Sequence, residues 1–286
     1  MNLSLVIPPL FVLMWATGFV TARLVAPHIE PISFLVLRFG LTTIVLGVFA
    51  LAAGAPWPRR PSEWARTAAI GILIQGVYLG GVFWAVRHGL PTSVSALIAA
   101  TQPLLTALVA LPLLGERVSP RRWLGVAVGF VGVALVLLPK IGVGGGYGVL
   151  PLVVSVASLI AITLGTIWQK RAGGAQDMRT GMAIQFGASA IALLPLAFAT
   201  ETMRVDPAPA FWIGLVWSIF GLSIGAVMLL FTMIRRGAVV GVAAWLFLVP
   251  PITALMSLAI FGETLAPVQM LGMAVAMVGV ALATRS

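Results

Sequence analysis

Residues 115–125 read GERVSPRRWLG and residues 262–272 read GETLAPVQMLG. The phrase returns after a shift of 147, from 115 to 262, and the second copy has lost Arg117, Arg121 and Arg122. A chain that repeats a phrase and strips its positive charge is reporting on the surroundings of each copy.

Those surroundings follow from composition. Of the 286 residues 60% are apolar and 8% are charged, against roughly 25% charged in a soluble domain. Such a chain cannot cover itself with a water-compatible surface, so its solvent is lipid. A spanning helix needs about 20 apolar residues at about 1.5 Å of rise each. Cutting the sequence at its charged and Pro/Gly-rich breaks gives ten segments: 4–24, 32–53, 67–86, 91–112, 121–138, 149–169, 179–199, 210–233, 237–260 and 267–284. The first of them lacks the basic leader of a signal peptide and is followed by many similar runs, so it reads as a membrane helix.

With the N-terminus inside, the cytoplasmic connections carry twelve positive residues: Arg59, Arg60, Arg66, Arg117, Arg121, Arg122, Lys170, Arg171, Arg179, Arg235, Arg236 and Arg285. The opposite side carries four, Arg23, Arg87, Lys140 and Arg204. Positive residues favour the cytoplasmic side, which places both termini there. An odd number of helices, five, separates the two copies of the phrase and reverses their orientation. The second copy faces the side where arginine is disfavoured.

The repeat extends over both halves. At the shift of 147, Gly18 meets Gly165, Arg38-Phe39-Gly40 meets Gln185-Phe186-Gly187, Pro103 meets Pro250 and Gly132 meets Gly279; at 148, Trp64 meets Trp212 and Arg87 meets Arg235. The expected organisation is therefore a first five-helix repeat over 1–140 and a second, inverted one over 147–286.

These residues resemble the EamA-type proteins of the drug/metabolite transporter superfamily. The pattern is Pro103, Gly115-Glu116, Pro120, Gly125 and Gly132, and again Pro250, Gly262-Glu263, Pro267, Gly272 and Gly279. The chain looks most like the bacterial aromatic amino-acid exporter branch. The resemblance implies an all-α polytopic protein of ten transmembrane helices in two inverted repeats. It also implies a bacterial inner membrane location and a substrate cavity lined by the first, third, fourth, sixth, eighth and ninth helices. The fifth and tenth would be packing elements, and the small residues Gly125, Gly129 and Gly132, with Gly272, Ala276 and Gly279, stand at the spacing that lets helices approach closely.

Candidate substrate-binding residues are the polar and aromatic side chains on cavity-side helices: Trp15, Gln75, Tyr78, Thr101, Gln102, Trp217 and Trp245. Gln75 and Tyr78 are three apart and share a helix face, and their polar ends require partners within hydrocarbon. Pro103, and Pro250 with Pro251, read as matching mid-helix breaks that release the carbonyls of Ala99 and Leu246. Matching breaks in two halves point to a transporter site, while a simple packing kink is the bland alternative. Trp57, Trp64, Trp123 and Trp212 fall near segment ends and read as interfacial anchors. Arg38, well inside the second segment, costs about 2.5–3.5 kcal/mol at a bilayer centre, and reads as paired locally rather than as an anion ligand. Glu116 and Glu263 read as helix-start carboxylates.

Several functions are excluded. Isolated basic residues between apolar runs make no nucleic-acid face. The absence of cysteine excludes thiol chemistry and cysteine-bound metal. No phosphate loop occurs, and both histidines and both aspartates fall in connections, so no hydrolytic constellation stands in the membrane. The expectation is a secondary transporter, not an enzyme, with no cofactor and no metal, whose partners are a small-molecule substrate and the bilayer, acting as a monomer. The spans hold no buried Asp, Glu, Lys or His to carry protons, so movement down the solute's own gradient is expected. An uncharged or zwitterionic guest fits best, aromatic and hydrophobic amino acids first, neutral drugs or other metabolites second.

Overall fold

A computed structural model describes residues 3–90, 95, 98–99, 101–115, 118–137, 148–172, 176–236, 239–262 and 266–284. The chain runs through α1 (Leu3–Val25), α2 (Pro31–Ala52), α3 (Pro61–Arg87), α4 (Gln102–Leu114), α5 (Pro120–Leu137), α6 (Val149–Ala172), α7 (Met178–Thr200), α8 (Pro209–Arg236), α9 (239–261) and α10 (Pro267–Thr284). Among the described residues there is no strand, and the β-type pairing is the isolated bridge Ile29–Val205. Among the described residues seven stretches, in α1, α2, α3, α6, α7, α8 and α9, are long and apolar enough to cross a membrane. Helices are the answer lipid demands, because each satisfies its own backbone. Outward faces are apolar too: Val48, Leu51, Ile191 and Phe198 all stand exposed.

Boundaries follow local chemistry. Helices α2, α3, α5, α8 and α10 begin on proline, which lacks an N–H that the first turn cannot use anyway. Gly115 and Gly262 follow α4 and α9 with φ of +71° and +67°, the left-handed geometry that stops a helix and favours glycine. The opening glycine of each quoted phrase is thus a helix stop. Glu116 and Glu263 lie outside the described residues. At the starts of the next helices, Ser119 Oγ accepts the Arg122 N–H at 3.4 Å and Gln269 Oε1 accepts the Ala266 N–H at 2.9 Å.

Two irregularities recur in both halves. Helix α3 contains a π-helical turn at Ile72–Val77 and α8 one at Ser218–Ala226, overlapping at a shift of 148. Hydropathy does not register such a change of hydrogen-bond period. The second irregularity lies beside the prolines. Residues 98–99 are helical, Thr101 is a turn and α4 starts at Gln102, so Pro103 stands just after an interruption of the helical backbone. In α9 a 3₁₀ turn over Trp245–Leu248 precedes an α-helical restart at Val249, so Pro250 and Pro251 likewise follow an interruption inside a longer helix. The restarts Gln102–Leu114 and Val249–Phe261 are both 13 residues long and stand 147 apart.

The closest helix pairing joins α5 to α10. A Cβ on Gly125 would stand 2.8 Å from the Gly279 carbonyl oxygen, and a Cβ on Gly279 equally 2.8 Å from that of Gly125. Gly132 and Gly272 make the same reciprocal pair at 2.8 and 2.7 Å. Backbone presses on backbone there, so no side chain has room. Helix α2 lies against α7, with the rings of Phe39 and Phe186 at 5.5 Å. The largest core cluster draws buried residues from α1, α2, α3, α7, α8 and α9, Phe11, Leu35, Phe186 and Phe231 among them.

Candidate functional site

The irregular turns position most of the polar side chains. Gln75, on the π-turn of α3, is 2% exposed and its Nε2 has no hydrogen-bond partner. A π-turn widens the backbone and re-aims a side chain, which is why such turns gather at functional sites. Tyr78 follows on the same helix and is half-buried. The counterpart of Gln75 in the second half is Ser223 on the π-turn of α8, whose Oγ accepts the Nε–H of Arg38 at 2.8 Å. Arg38 is buried, with its guanidinium 5.7 Å from the Phe39 ring centre.

Around the helix restarts, Gln102 is buried and Thr101 donates its hydroxyl to the Ile98 carbonyl at 2.6 Å, a local bond of the kind that competes with regular helix. Trp15 and Trp245 pack against the same core cluster, and Trp15 stacks obliquely on Phe11 at 5.2 Å. Trp217 is placed differently: it is 41% exposed, and its Nε1–H donates to Thr17 Oγ1 of α1 at 2.8 Å. It clasps two helices from outside, over Gly221, where a Cβ would stand 2.8 Å from the indole. Trp57 is half-buried against the main core and stacked on Trp64 at 5.7 Å.

The ends of the bundle hold polar groups that hydropathy did not reveal. At one end, the α1–α2 connection, the end of α3 and the α7–α8 connection form a knot. Glu201, with a side chain 0% exposed, accepts the N–H groups of Ile32 and Ser33 at 2.9 and 2.6 Å and the Ser33 hydroxyl at 2.7 Å. The carboxylate therefore sits on the positive end of α2. Arg87 donates to Glu30 at 2.6 Å and to Glu201 at 3.4 Å, and Glu30 also accepts the Thr202 hydroxyl at 2.8 Å. The Arg87 hydrogen bond, aided by Thr202, holds the Glu30 carboxyl down at about 2. His28 Nδ1 bonds Asp206 at 2.7 Å.

At the opposite, arginine-rich end a cleft of about 500 Å³ is lined by Pro56, Gln176, Asp177, Met178, Arg179, Met228 and Arg235. It continues into a crevice reached by Thr67, Gln169, Gln185 and Phe231. Gln185 donates to Gln169 at 2.9 Å, Thr67 to Gln176 at 2.8 Å, and Arg235 to the Gln176 carbonyl at 2.7 Å. Asp177 accepts from Arg179 at 2.7 and 3.0 Å, which keeps its carboxyl below the ordinary range. None of the seven residues expected to bind substrate lines the cleft or the crevice. Among the described residues no cluster of His, Cys, Asp and Glu could hold a metal.

Comparison with known proteins places this geometry in a family. The EamA-like transporter model matches twice, over residues 7–138 and 149–285. The chain belongs to the EamA-like transporter family. It is 25% identical over 250 residues to the uncharacterized transporter YvbV of Bacillus subtilis (strain 168), covering 86% of this chain and 80% of that one. To the uncharacterized inner membrane transporter YedA of Escherichia coli (strain K12) it is 24% identical, over 95% and 87% of the two chains. A probable terminal-alkyne amino-acid exporter of Streptantibioticus cattleyicolor is 26% identical over 96% and 91%. One solved protein crystal structure superposes with a TM-score of 0.83 at 21% identity, over 98% of this chain and 96% of the other; the likeness is one of fold.

Proposed function

We propose that this EamA-like transporter is a facilitator that exports small uncharged or zwitterionic organic solutes, aromatic and other hydrophobic amino acids first, across a bacterial inner membrane. Ten spans in two inverted five-helix repeats, 1–140 and 147–286, alternate access to a site between the halves, with both termini cytoplasmic and the monomer as the working unit.

The observation that carries this reading is that contacts exchange under the repeat. Gly125 meets Gly279 and Gly132 meets Gly272; a shift of 147 turns each pair into the other. Phe39 meets its own repeat mate, Phe186. Reciprocal pairs of this kind are what a twofold relation produces, and inverted repeats with broken helices at the midplane are a transporter design. The matched π-turns and restarts give both halves the same irregular backbone beside Gln75, Ser223, Gln102 and Trp245. The exporter among the relatives supports amino acids as the class; neutral drugs or other metabolites are the second reading, which the aromatic side chains would equally suit.

Purified protein in liposomes tests this. Phe, Tyr or Trp should move down its own gradient with no pH difference and with voltage clamped by potassium and valinomycin. Tyr78→Ala and Trp245→Ala should cut that flux by roughly tenfold, the equivalent of about 1.4 kcal/mol, whereas Trp212→Ala on the exposed face should leave it intact. Accumulation only under an imposed pH difference would overturn the facilitator, and flux of drugs without amino acids would select the second reading.

A further inference from the structure

The knot at one end of the bundle and the cleft at the other are built from repeat mates, yet only the knot is complete. Helices α2 and α7 correspond: Glu30 and Asp177 are their N-caps, Ala53 and Glu201 their C-caps. The arginines facing them, Arg87 and Arg235, correspond at a shift of 148. In the knot, Arg87 meets two carboxylates, those of Glu30 and Glu201. In the cleft the first carboxylate, Asp177, is turned to Arg179, and the second is missing because the mate of Glu201 is Ala53.

Among the described residues Arg235 is left with one backbone acceptor, the Gln176 carbonyl, and its buried Nε has no partner. Gln176 Nε2 is a second buried donor without a partner. Deeper in, Gln185 is 3% exposed and its Oε1 is an acceptor without one. Unsatisfied buried polar groups of both signs are costly and ask for a complementary guest. Met178, Met228 and Phe231 give the guest's body an apolar wall.

We infer that the cleft between α3, α6, α7 and α8 binds the carboxylate of a small solute at Arg235 and Gln176, in the position that Glu201 occupies at the opposite end. The ammonium or hydroxyl of the same solute meets Gln185. This deepens the export reading and rests on it for direction: the arginine-rich end is the cytoplasmic one, so the cleft is where a zwitterion is first captured. Arginine suits the task because its planar donor fork matches a carboxylate.

The test measures binding without transport. Because the chain has no cysteine, Met228→Cys introduces a single thiol in the cleft, and its rate of maleimide labelling reports occupancy. The probes are L-phenylalanine, phenylacetate, which keeps the carboxylate alone, and phenethylamine, which keeps the amine alone. Phenylacetate and phenylalanine should slow labelling on the order of tenfold at roughly ten times their Kd, and phenethylamine should not. Adding Arg235→Gln should abolish the protection, and Arg235→Lys, which keeps the charge but not the fork, should retain part of it. An unchanged labelling rate without probe establishes that each variant is folded. Equal protection by phenethylamine, protection that survives Arg235→Gln, or no protection by any probe overturns the site. If the site holds while liposomes show no amino-acid flux, the export reading falls and the carboxylate site stands.

Discussion

Glu30 shows what one carboxylate does in this protein. It meets Arg87 of its own half and Thr202 of the other, and those hydrogen bonds depress its carboxyl from the ordinary 4.5 to about 2. A carboxyl whose folded pKa lies below its unfolded value stabilises fully above the unfolded value and loses that contribution as pH falls through the folded one. The stabilisation should therefore be complete above about pH 4.5 and vanish towards about pH 2. Thermal unfolding in detergent, followed by tryptophan fluorescence, checks it. Glu30→Gln should melt below the parent at neutral pH, and the gap should close across that window; a gap independent of pH would exclude the ion pair as its source. Glu201 is of a different kind, since it caps α2 from another helix, and hydrogen bonds to a buried charge are worth about 1.5–3 kcal/mol. The sequence showed both residues only as acids in connections; nothing in their spacing pairs positions 30, 87 and 201.

At the scale of elements, the α5–α10 pairing depends on the absence of side chains. A Cβ at Gly279 would meet the backbone of Gly129 and Gly125, which cannot move without parting the helices. Gly279→Ala should cost about 1–3 kcal/mol, the range for overpacking a tight core. Gly47→Ala is the matched control, because no atom lies within 4 Å of its Cβ position, and it should be neutral or stabilising by about 0.5–1 kcal/mol. Folded yield and unfolding midpoint distinguish the two; equal behaviour would mean that the helices are not packed backbone to backbone. That these faces admit a close neighbour was legible, since small residues at helical spacing are a one-dimensional signal; that they meet each other was not. The π-turns were not, because the residues of Ile72–Val77 and Ser218–Ala226 are as apolar as their neighbours. Pro103, Pro250 and Pro251 were legible as breaks, but the turn at Thr101 and the 3₁₀ turn over Trp245–Leu248 were not, since proline marks where a hydrogen bond is lost and not which geometry replaces it.

For the whole molecule, the proposed topology has a direct check. Single cysteines at Gly148 and Ser119, both exposed positions, should label from opposite sides: the first from outside intact cells, the second only after permeabilisation. The reverse result would invert the protein and move the carboxylate cleft to the outer face. What the sequence determined by itself is the lipid solvent, the helical class and the recurrence of its residues at a fixed shift, which bear on the family the chain belongs to. Each rests on composition or on a fixed shift along the chain, and both survive in one dimension. Tertiary structure alone decided which polar groups meet. It joined Arg38 to Ser223 and Trp217 to Thr17, tied Arg87 to two carboxylates from different halves, and left Arg235 without one. The physical reason is that a buried polar group takes whatever partner the packing of helices brings within about 3 Å, and that neighbour is set by rotation and tilt of helices far apart in sequence.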